Sequence, residues 1–97
     1  AVISVQEFSY PIDRALHLDG NKAVMIKPEN YKKRSQDLRK AYHDAGQFYF
    51  IKSAVLKSEQ MLFPKNCGAI ILDEFEAQDI DTASDWTLAE MKYKLLR

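Results

Sequence analysis

Residues 41–50 read AYHDAGQFYF and join a polar segment to an apolar run that continues through Ile51. A continuous apolar run of this kind is typical of a strand that is buried on both faces of a parallel sheet. We therefore expect residues 47–51 to form a central strand of an α/β sheet. Further along the chain, residues 78–82 read QDIDT and follow a second apolar run. The two polar segments predict two edges of one ligand site.

Local patterns predict the elements around this stretch. Residues 2–8 are rich in Val, Ile and Phe and predict a buried strand, and residues 68–72 predict another. Residues 14–18 and 23–26 predict a hairpin whose tight turn is Asp-Gly or Gly-Asn. Residues 29–40 are polar and predict a loop with a short helical turn after a Ser35 cap.

Two helices are predicted in the second half of the chain. Residues 53–61 predict a short surface helix. Thr82 and Asp85 have the spacing of a capping box, in which each side chain bonds the backbone of the other residue. Apolar residues then recur at helical spacing, which predicts that this C-terminal helix packs against the sheet.

Composition limits the class of protein. The 97 residues are 46% hydrophobic, which suits one compact domain or part of one. Fourteen basic residues balance fourteen acidic ones, so binding to nucleic acid or to an anionic membrane is not expected. A single cysteine and the lack of a signal peptide or membrane-spanning run predict a soluble cytoplasmic protein. Because the chain begins directly as a strand without Met, we expect it to continue a larger fold.

Asp79 and Asp81 are candidate metal ligands. On an extended segment, residues spaced by two project from the same face. Two neighbouring carboxylates repel unless a cation or a proton lies between them, and magnesium bound jointly with substrate phosphates prefers such oxygen ligands. The alternative is that an acidic residue just before a helix serves as its cap. From spacing alone, both interpretations stay open.

Arg34, Gln36 and Gln47 are candidate binding residues. A planar guanidinium with a neighbouring amide suits the carboxylate of a sugar acid, although a charged loop is more often only solvated. Gln47 comes just before the buried strand, where ligand crevices lie in α/β folds. His43 and Asp44 are adjacent and would point apart on an extended chain, so a binding or structural role is favoured over an acid–base pair.

Three segments in this order resemble the acylneuraminate (CMP-nonulosonate) cytidylyltransferase family, and within it the branch that activates pseudaminic acid. They are residues 33–38 (KRSQDL), 41–49 (AYHDAGQFY) and 78–82 (QDIDT), and residues 85–86 and 89–90 extend the match. The resemblance covers nearly the whole chain. It implies the C-terminal half of a Rossmann-like nucleotide-diphospho-sugar transferase domain, with a mixed sheet and a C-terminal helix over residues 46–97. Residues 13–45 would form a protruding hairpin and loop for dimerisation and sugar binding.

The resemblance also implies an activity. Such enzymes couple CTP to a nonulosonic acid, such as pseudaminic or sialic acid, and release pyrophosphate with magnesium as cofactor. Asp79 and Asp81 match the family's metal-binding carboxylates, and the substrate-binding residues would be Arg34, Gln36, Gln47 and Tyr49. No residue of this chain is assigned a catalytic role. A homodimer is implied, which leaves open whose site Arg34 serves.

Three departures from the family pattern matter. Ser35 separates Arg34 from Gln36, whereas the sialate enzymes place Arg directly before Gln-Asp, and Asp13 replaces a basic residue. The Gly-rich nucleotide loop is not present, so we expect this chain alone to be inactive and not to bind CTP in the family manner. Two alternatives are kept: a noncatalytic dimerisation module of the same fold, and a related nucleotidyltransferase with a different sugar.

Overall fold

The computed structural model describes residues 1–97 and shows a mixed α/β chain. Its strands are β1 (Val2–Glu7), β2 (Leu16–Asp19), β3 (Lys22–Met25), β4 (Tyr42–Phe50) and β5 (Gly68–Ile71), and its helices are α1 (Ser53–Glu59) and α2 (Ala83–Leu96). Three single 3-10 turns cover Ile12–Arg14, Pro28–Asn30 and Ser35–Asp37. Neither α-helix has the length and apolar content that crossing a membrane requires.

The residues group into two compact units, which are described separately. The first unit comprises Ala1–Gln6 and His43–Arg97, and the second comprises Glu7–Tyr42. The Rossmann-like character of the fold and a role of the hairpin in dimerisation stay predictions.

A three-stranded sheet forms the centre of the first unit. Its strand order is β4-β1-β5, and β1 runs parallel to β5 with Ile3 opposite Ala69. The core lies on β1, where Ile3, Ser4 and Val5 are buried. The prediction that residues 47–51 form the central strand is therefore wrong, because β1 is central and β4 lies at an edge. The aromatic run of β4 is largely exposed, since no further strand covers it.

Gly46 interrupts the alternation of side chains along β4. Its φ of +69° lies in the left-handed region, which glycine adopts without a Cβ penalty. As at a β-bulge, the backbone N–H groups of Gln47 and Phe48 both donate to the Ser4 hydroxyl, each at 3.2 Å. The fully buried Ser4 side chain thus satisfies two donors that a regular ladder would have paired.

Helix α2 begins as predicted. The Thr82 hydroxyl accepts a hydrogen bond from the Asp85 backbone N–H, and the Asp85 carboxylate accepts one from the Thr82 N–H, so the capping box is confirmed. The expected packing of the apolar face differs, because no residue of α2 is buried and Trp86 and Tyr93 are 58% and 62% exposed. The helix is instead held through Lys92, whose ammonium donates to the Ala77 carbonyl at 2.9 Å.

The second unit contains the predicted antiparallel pair of strands. β2 and β3 pair with Asp19 opposite Lys22, and the two-residue turn between them is Gly20-Asn21. Gly20 has a φ of +64°, as the hairpin turns with left-handed residues require. Most of the hairpin is exposed, including Leu16 and Leu18.

Asp13 organises the loop that follows the hairpin. Its carboxylate lies 2.9 Å from Lys27 Nζ and 3.1 Å from Arg39 Nε, and its backbone carbonyl accepts a hydrogen bond from the buried Asn30 side chain at 2.7 Å. The hydrogen bond from Lys27, together with the positive charge of Arg39, lowers the pKa of Asp13 although partial burial opposes that shift. The acid that replaces a basic residue of the resembled family is therefore an internal anchor of this unit.

Candidate functional site

The polar start of β4 forms a small constellation around Gly46. The Asp44 side chain closes an Asx turn, in which its carboxylate accepts a hydrogen bond from the Gly46 backbone N–H at 2.9 Å. A Cβ on Gly46 would lie 3.8 Å from the carboxyl carbon of Asp79. The structure thereby brings the two polar segments, residues 41–50 and 78–82, to one place.

Tyr49 belongs to the same constellation. Regular strand alternation would place Asp44 and Tyr49 on opposite faces, since they are five positions apart. The break at Gly46 turns both outward, and the Tyr49 hydroxyl donates to the Asp44 carboxylate. The Tyr49 ring also packs edge-on against Phe63, with ring centroids 6.4 Å apart. The phenol is thus fixed at both its ring and its hydroxyl.

The electrostatics of this constellation favour a neutral phenol. The hydrogen bond to Asp44 raises the pKa of Tyr49, and desolvation and the negative charges of Asp44 and Asp79 act in the same direction. Each of these makes the phenolate less favourable. Tyr49 therefore stays protonated and acts as a hydrogen-bonding group rather than as a base.

The segment with Asp79 and Asp81 is held from both ends. Lys92 donates to the Ala77 carbonyl and to the Gln78 side chain at 2.8 Å, which ties the start of the segment to α2. At its other end, the Asp81 backbone N–H donates to the Asp85 carboxylate at 3.0 Å. Both predicted metal ligands are exposed. The alternative that Asp81 caps the helix is wrong, because Thr82 occupies the N-cap.

The capping interactions also fix the charge of Asp85. Hydrogen bonds from the backbone N–H groups of Asp81 and Thr82, and then from the Thr82 hydroxyl, lower the pKa of Asp85. One oxygen of its carboxylate, Oδ2, accepts from both N–H groups. Asp85 is therefore a structural neighbour of the candidate ligands.

The donor set can be compared with what magnesium needs. No group of three or more His, Cys, Asp and Glu side chains in the chain could hold a metal ion by itself. Magnesium usually keeps several waters and is bound through one or two carboxylates together with substrate phosphates. Asp79 and Asp81 are two carboxylates of that kind, so the residues fit an ion shared with a phosphate ligand and do not fit a site built from protein alone.

Gln47, a predicted substrate contact, is partly committed to its own strand. Its side-chain amide donates to the Ala45 carbonyl at 2.8 Å, and its backbone N–H donates to Ser4. The carbonyl oxygen and the second N–H of that amide are left to meet a ligand. His43 Nδ1 lies 3.0 Å from the Asp44 backbone carbonyl, while both carboxylate oxygens of Asp44 accept from Gly46 and Tyr49.

Arg34 and Gln36, the other predicted contacts, lie in the second unit. Arg34 pairs with Asp37 at 3.1 Å, and both side chains are largely exposed. Gln36 lines a cavity of about 390 Å³ together with Arg39 and Lys40. The wall of this cavity carries two positively charged side chains, Arg39 and Lys40, and neither is among the predicted contacts.

Asp44 belongs to this constellation but is not among the predicted site residues. Its carboxylate accepts hydrogen bonds from the Gly46 backbone and from the Tyr49 hydroxyl. The spacing of Asp before x-Gly is a signal for an Asx turn and could have identified the first of these partners. The contact with Tyr49 depends on the break in the strand and has no comparable signal.

Comparison with known proteins shows the class to which the chain is similar. No family model matches the chain. Curated proteins named pseudaminic acid cytidylyltransferase and CMP-N,N'-diacetyllegionaminic acid synthase do match it, along most of its length, and this confirms the resemblance predicted from the three sequence segments.

Three relatives illustrate the similarity. The chain is 42% identical over 95 residues to pseudaminic acid cytidylyltransferase of Campylobacter jejuni, covering 97% of this chain and 41% of the relative. A Helicobacter pylori protein is named pseudaminic acid cytidylyltransferase and UDP-2,4-diacetamido-2,4,6-trideoxy-beta-L-altropyranose hydrolase. The chain is 34% identical to it over 79 residues, which cover 81% of this chain and 15% of the relative. The chain is also 31% identical over 85 residues to CMP-N,N'-diacetyllegionaminic acid synthase of Campylobacter jejuni, covering 88% of this chain and 36% of the relative. The chain thus spans well under half the length of the curated relatives that it matches.

Proposed function

We propose that this chain is part of a nucleotidyltransferase that couples CTP to a nonulosonic acid and yields a CMP-sugar and pyrophosphate. The observation that supports this most strongly is the 42% identity over 97% of the chain to a pseudaminic acid cytidylyltransferase. Pseudaminic acid is accordingly the first substrate to test, and sialic and legionaminic acids are alternatives. We assign the activity to the full-length protein in the cytoplasm and expect this chain alone to be inactive.

The proposed reaction is a displacement at phosphorus. The anomeric hydroxyl oxygen of the sugar forms a bond to the α-phosphorus of CTP, the bond from that phosphorus to the bridging oxygen breaks, and pyrophosphate leaves. The proton of the hydroxyl passes to solvent, since no residue of this chain is assigned as the base. Catalysis is then mainly a matter of position and charge stabilisation.

Asp79 and Asp81 are proposed to hold magnesium together with the phosphates. When bound, the ion would offset negative charge that develops on the phosphate oxygens. The two side chains project from a segment that is tied to α2 at Ala77 and at Asp81, which limits its motion. This anchoring supports the proposal, because ligands that are already ordered lose less entropy on binding.

Tyr49 and Gln47 of the first unit are proposed as substrate-binding residues. Arg34 and Gln36 of the second unit are proposed as substrate-binding residues in their own right. Arg34 can serve this role only if it exchanges its exposed pair with Asp37 for the sugar carboxylate. Such an exchange costs little, since exposed pairs contribute roughly 0–1 kcal/mol. Gln36, with Arg39 and Lys40 in the same cavity wall, gives the second unit further groups for an anionic ligand.

A noncatalytic dimerisation module is the second candidate. One observation favours it: the β2–β3 hairpin exposes Leu16, Leu18 and Val24, at 56%, 72% and 39%. Exposed apolar clusters mark interaction surfaces more often than isolated exposed residues do. A homodimer through this hairpin is compatible with either function, so the oligomeric state alone does not distinguish them.

Pyrophosphate release by the full-length protein distinguishes the two functions. The assay contains CTP, magnesium and one of three sugars: pseudaminic, legionaminic or sialic acid. Release that depends on the sugar supports the nucleotidyltransferase and ranks its substrates. A folded, dimeric protein that releases none with any of the three would favour the noncatalytic module.

A further inference from the structure

Both oxygens of the Asp44 carboxylate accept hydrogen bonds inside the constellation around Gly46. One of its oxygens accepts from the Gly46 backbone N–H at 2.9 Å, and the other accepts from the Tyr49 hydroxyl. A carboxylate can only accept hydrogen bonds, so the phenol proton must point towards Asp44. The direction of the Tyr49 O–H bond is thereby fixed before any ligand binds.

We propose that Asp44 is a positioning residue that makes Tyr49 a hydrogen-bond acceptor towards the ligand. The face of the site at Tyr49 then takes an N–H donor and rejects a carboxylate. On a nonulosonic acid, the matching group is an acetamido N–H. This inference rests on the proposed function, since it assigns one side of the sugar to one side of the same site.

The charge of Asp44 supports this orientation. Its carboxylate contacts the phenol directly. A negative charge beside the phenol repels a ligand carboxylate and attracts the positive end of an N–H bond. The carboxylate of the sugar acid is therefore directed away from Tyr49 and towards positive charge elsewhere in the complete protein.

An Asp44→Asn substitution reverses the direction of the hydrogen bond between Tyr49 and residue 44, with little change in side-chain shape. The amide oxygen of Asn can still accept from the Gly46 N–H, while its NH₂ group faces the phenol oxygen and donates to it. The Tyr49 proton must then point outward, so that Tyr49 offers a donor where it previously offered an acceptor. Ligand groups that can only donate, such as an amide N–H, lose their partner.

The test uses the full-length protein and compares KM for the sugar with KM for CTP. Asp44→Asn and Tyr49→Phe are expected to raise the sugar KM about 10-fold, as loss of one hydrogen bond would, and to leave the CTP KM unchanged. The matched control is Asp73→Asn. Asp73 accepts from the Phe75 N–H at 3.0 Å in the same kind of Asx turn, and this control should change neither value.

A change of ligand separates positioning from a structural effect. Acetamido groups of the sugar are replaced one at a time by acetate esters, which keep the shape and lack the N–H. At the position that meets Tyr49, the ester should raise the sugar KM about 10-fold in the wild-type protein and have no effect in Tyr49→Phe. If each ester has the same effect in both proteins, or if Asp44→Asn behaves like Asp73→Asn, the inference is overturned. Absence of any CMP-sugar from the wild-type protein would instead overturn the proposed function, and this inference with it.

Discussion

The Asp85 carboxylate accepts a hydrogen bond from the Thr82 backbone N–H at 3.1 Å, and the Thr82 hydroxyl accepts one from the Asp85 N–H at 3.2 Å. The same carboxylate also accepts from the Asp81 N–H at 3.0 Å. The start of α2 and a candidate metal ligand are therefore fixed by one side chain. Stability of the helix and order of the site are coupled at this point.

Removing the cap should destabilise the protein. Thr82→Ala deletes the acceptor of the Asp85 N–H and should lower the free energy of unfolding by about 1 kcal/mol. Thr87→Ala is the control within the same helix, because its hydroxyl only donates to the Ala83 carbonyl. It should be close to neutral, since alanine is the better helix former. Urea denaturation of the two variants measures the difference, and equal losses would contradict the role of the cap.

The buried Ser4 hydroxyl is expected to stabilise the irregular backbone of β4 next to Gly46. Ser4→Ala leaves the N–H groups of Gln47 and Phe48 without their acceptor and should cost about 1–3 kcal/mol. Ser58→Ala removes an exposed hydroxyl that donates to the Val55 carbonyl, and should change stability by less than about 0.5 kcal/mol. A similar midpoint in urea for both variants would show that the bulge is held by other contacts.

Gly46 and Gly20 allow backbone strain to be separated from function. Both have left-handed φ angles, so alanine at either position should cost about 1 kcal/mol. A Cβ at Gly46 would meet Asp79 only at ordinary contact distance, and one at Gly20 would meet nothing within 4 Å. We expect Gly46→Ala, but not Gly20→Ala, to raise the sugar KM of the full-length protein, because a change at Gly46 shifts Asp44 and Tyr49. An equal rise in Gly20→Ala would remove the constellation around Gly46 from the sugar site.

Two carboxylates make stability depend on acid pH. The pKa values of Asp13 and Asp85 are lowered in the folded state, so the unfolded state binds more protons as the pH falls. Their contribution is complete above about pH 4, the ordinary value of an aspartate, and is lost as the pH falls through the lowered values. The melting temperature should therefore fall as the pH drops below about 4.

Substitution identifies the groups responsible for that fall. Asp13→Asn and Asp85→Asn should each flatten the pH dependence while lowering the melting temperature at neutral pH. Asp37→Asn is the control, because Asp37 makes only an exposed pair with Arg34 and should leave the curve unchanged. A curve that keeps its slope in both test variants would place the acid sensitivity elsewhere.

Local signals predicted the elements better than their arrangement. The Thr82 and Asp85 spacing identified the start of α2, and the turn at Gly20 followed from its sequence. The aromatic run of β4 predicted a central strand, yet β4 is an edge strand. Apolar composition indicates that a strand tends to be buried, but it does not identify the neighbouring strand or helix that would bury it. The exposed apolar side chains of α2 show the same ambiguity.

The candidate site was predictable to a similar degree. The resemblance selected Tyr49 and Asp79, which the structure brings to one place around Gly46. Asp44 was not selected, because its contact with Tyr49 arises from a left-handed residue between them that reverses strand alternation. Asp13 was noted only as a departure from the family pattern. Its partners Lys27 and Arg39 are distant in sequence, and composition alone does not pair charges.

The metal assignment has its own test. Asp79→Asn and Asp81→Asn in the full-length protein should each reduce magnesium-dependent turnover by at least about 100-fold, since each removes a charged oxygen ligand. Asp19→Asn, in the exposed hairpin strand β2, is the control and should retain full turnover. Unchanged turnover and an unchanged magnesium requirement in both test variants would remove the two carboxylates from the metal site.

The most direct measurement of the central claim is a ³¹P NMR spectrum of the full-length protein incubated with CTP, magnesium and pseudaminic acid. The proposed function predicts that the CTP resonances are replaced by equal amounts of pyrophosphate and of a single phosphodiester, whose mass is that of CMP joined to the sugar. Intact CTP in the presence of folded protein, with each of the three nonulosonic acids, would contradict it.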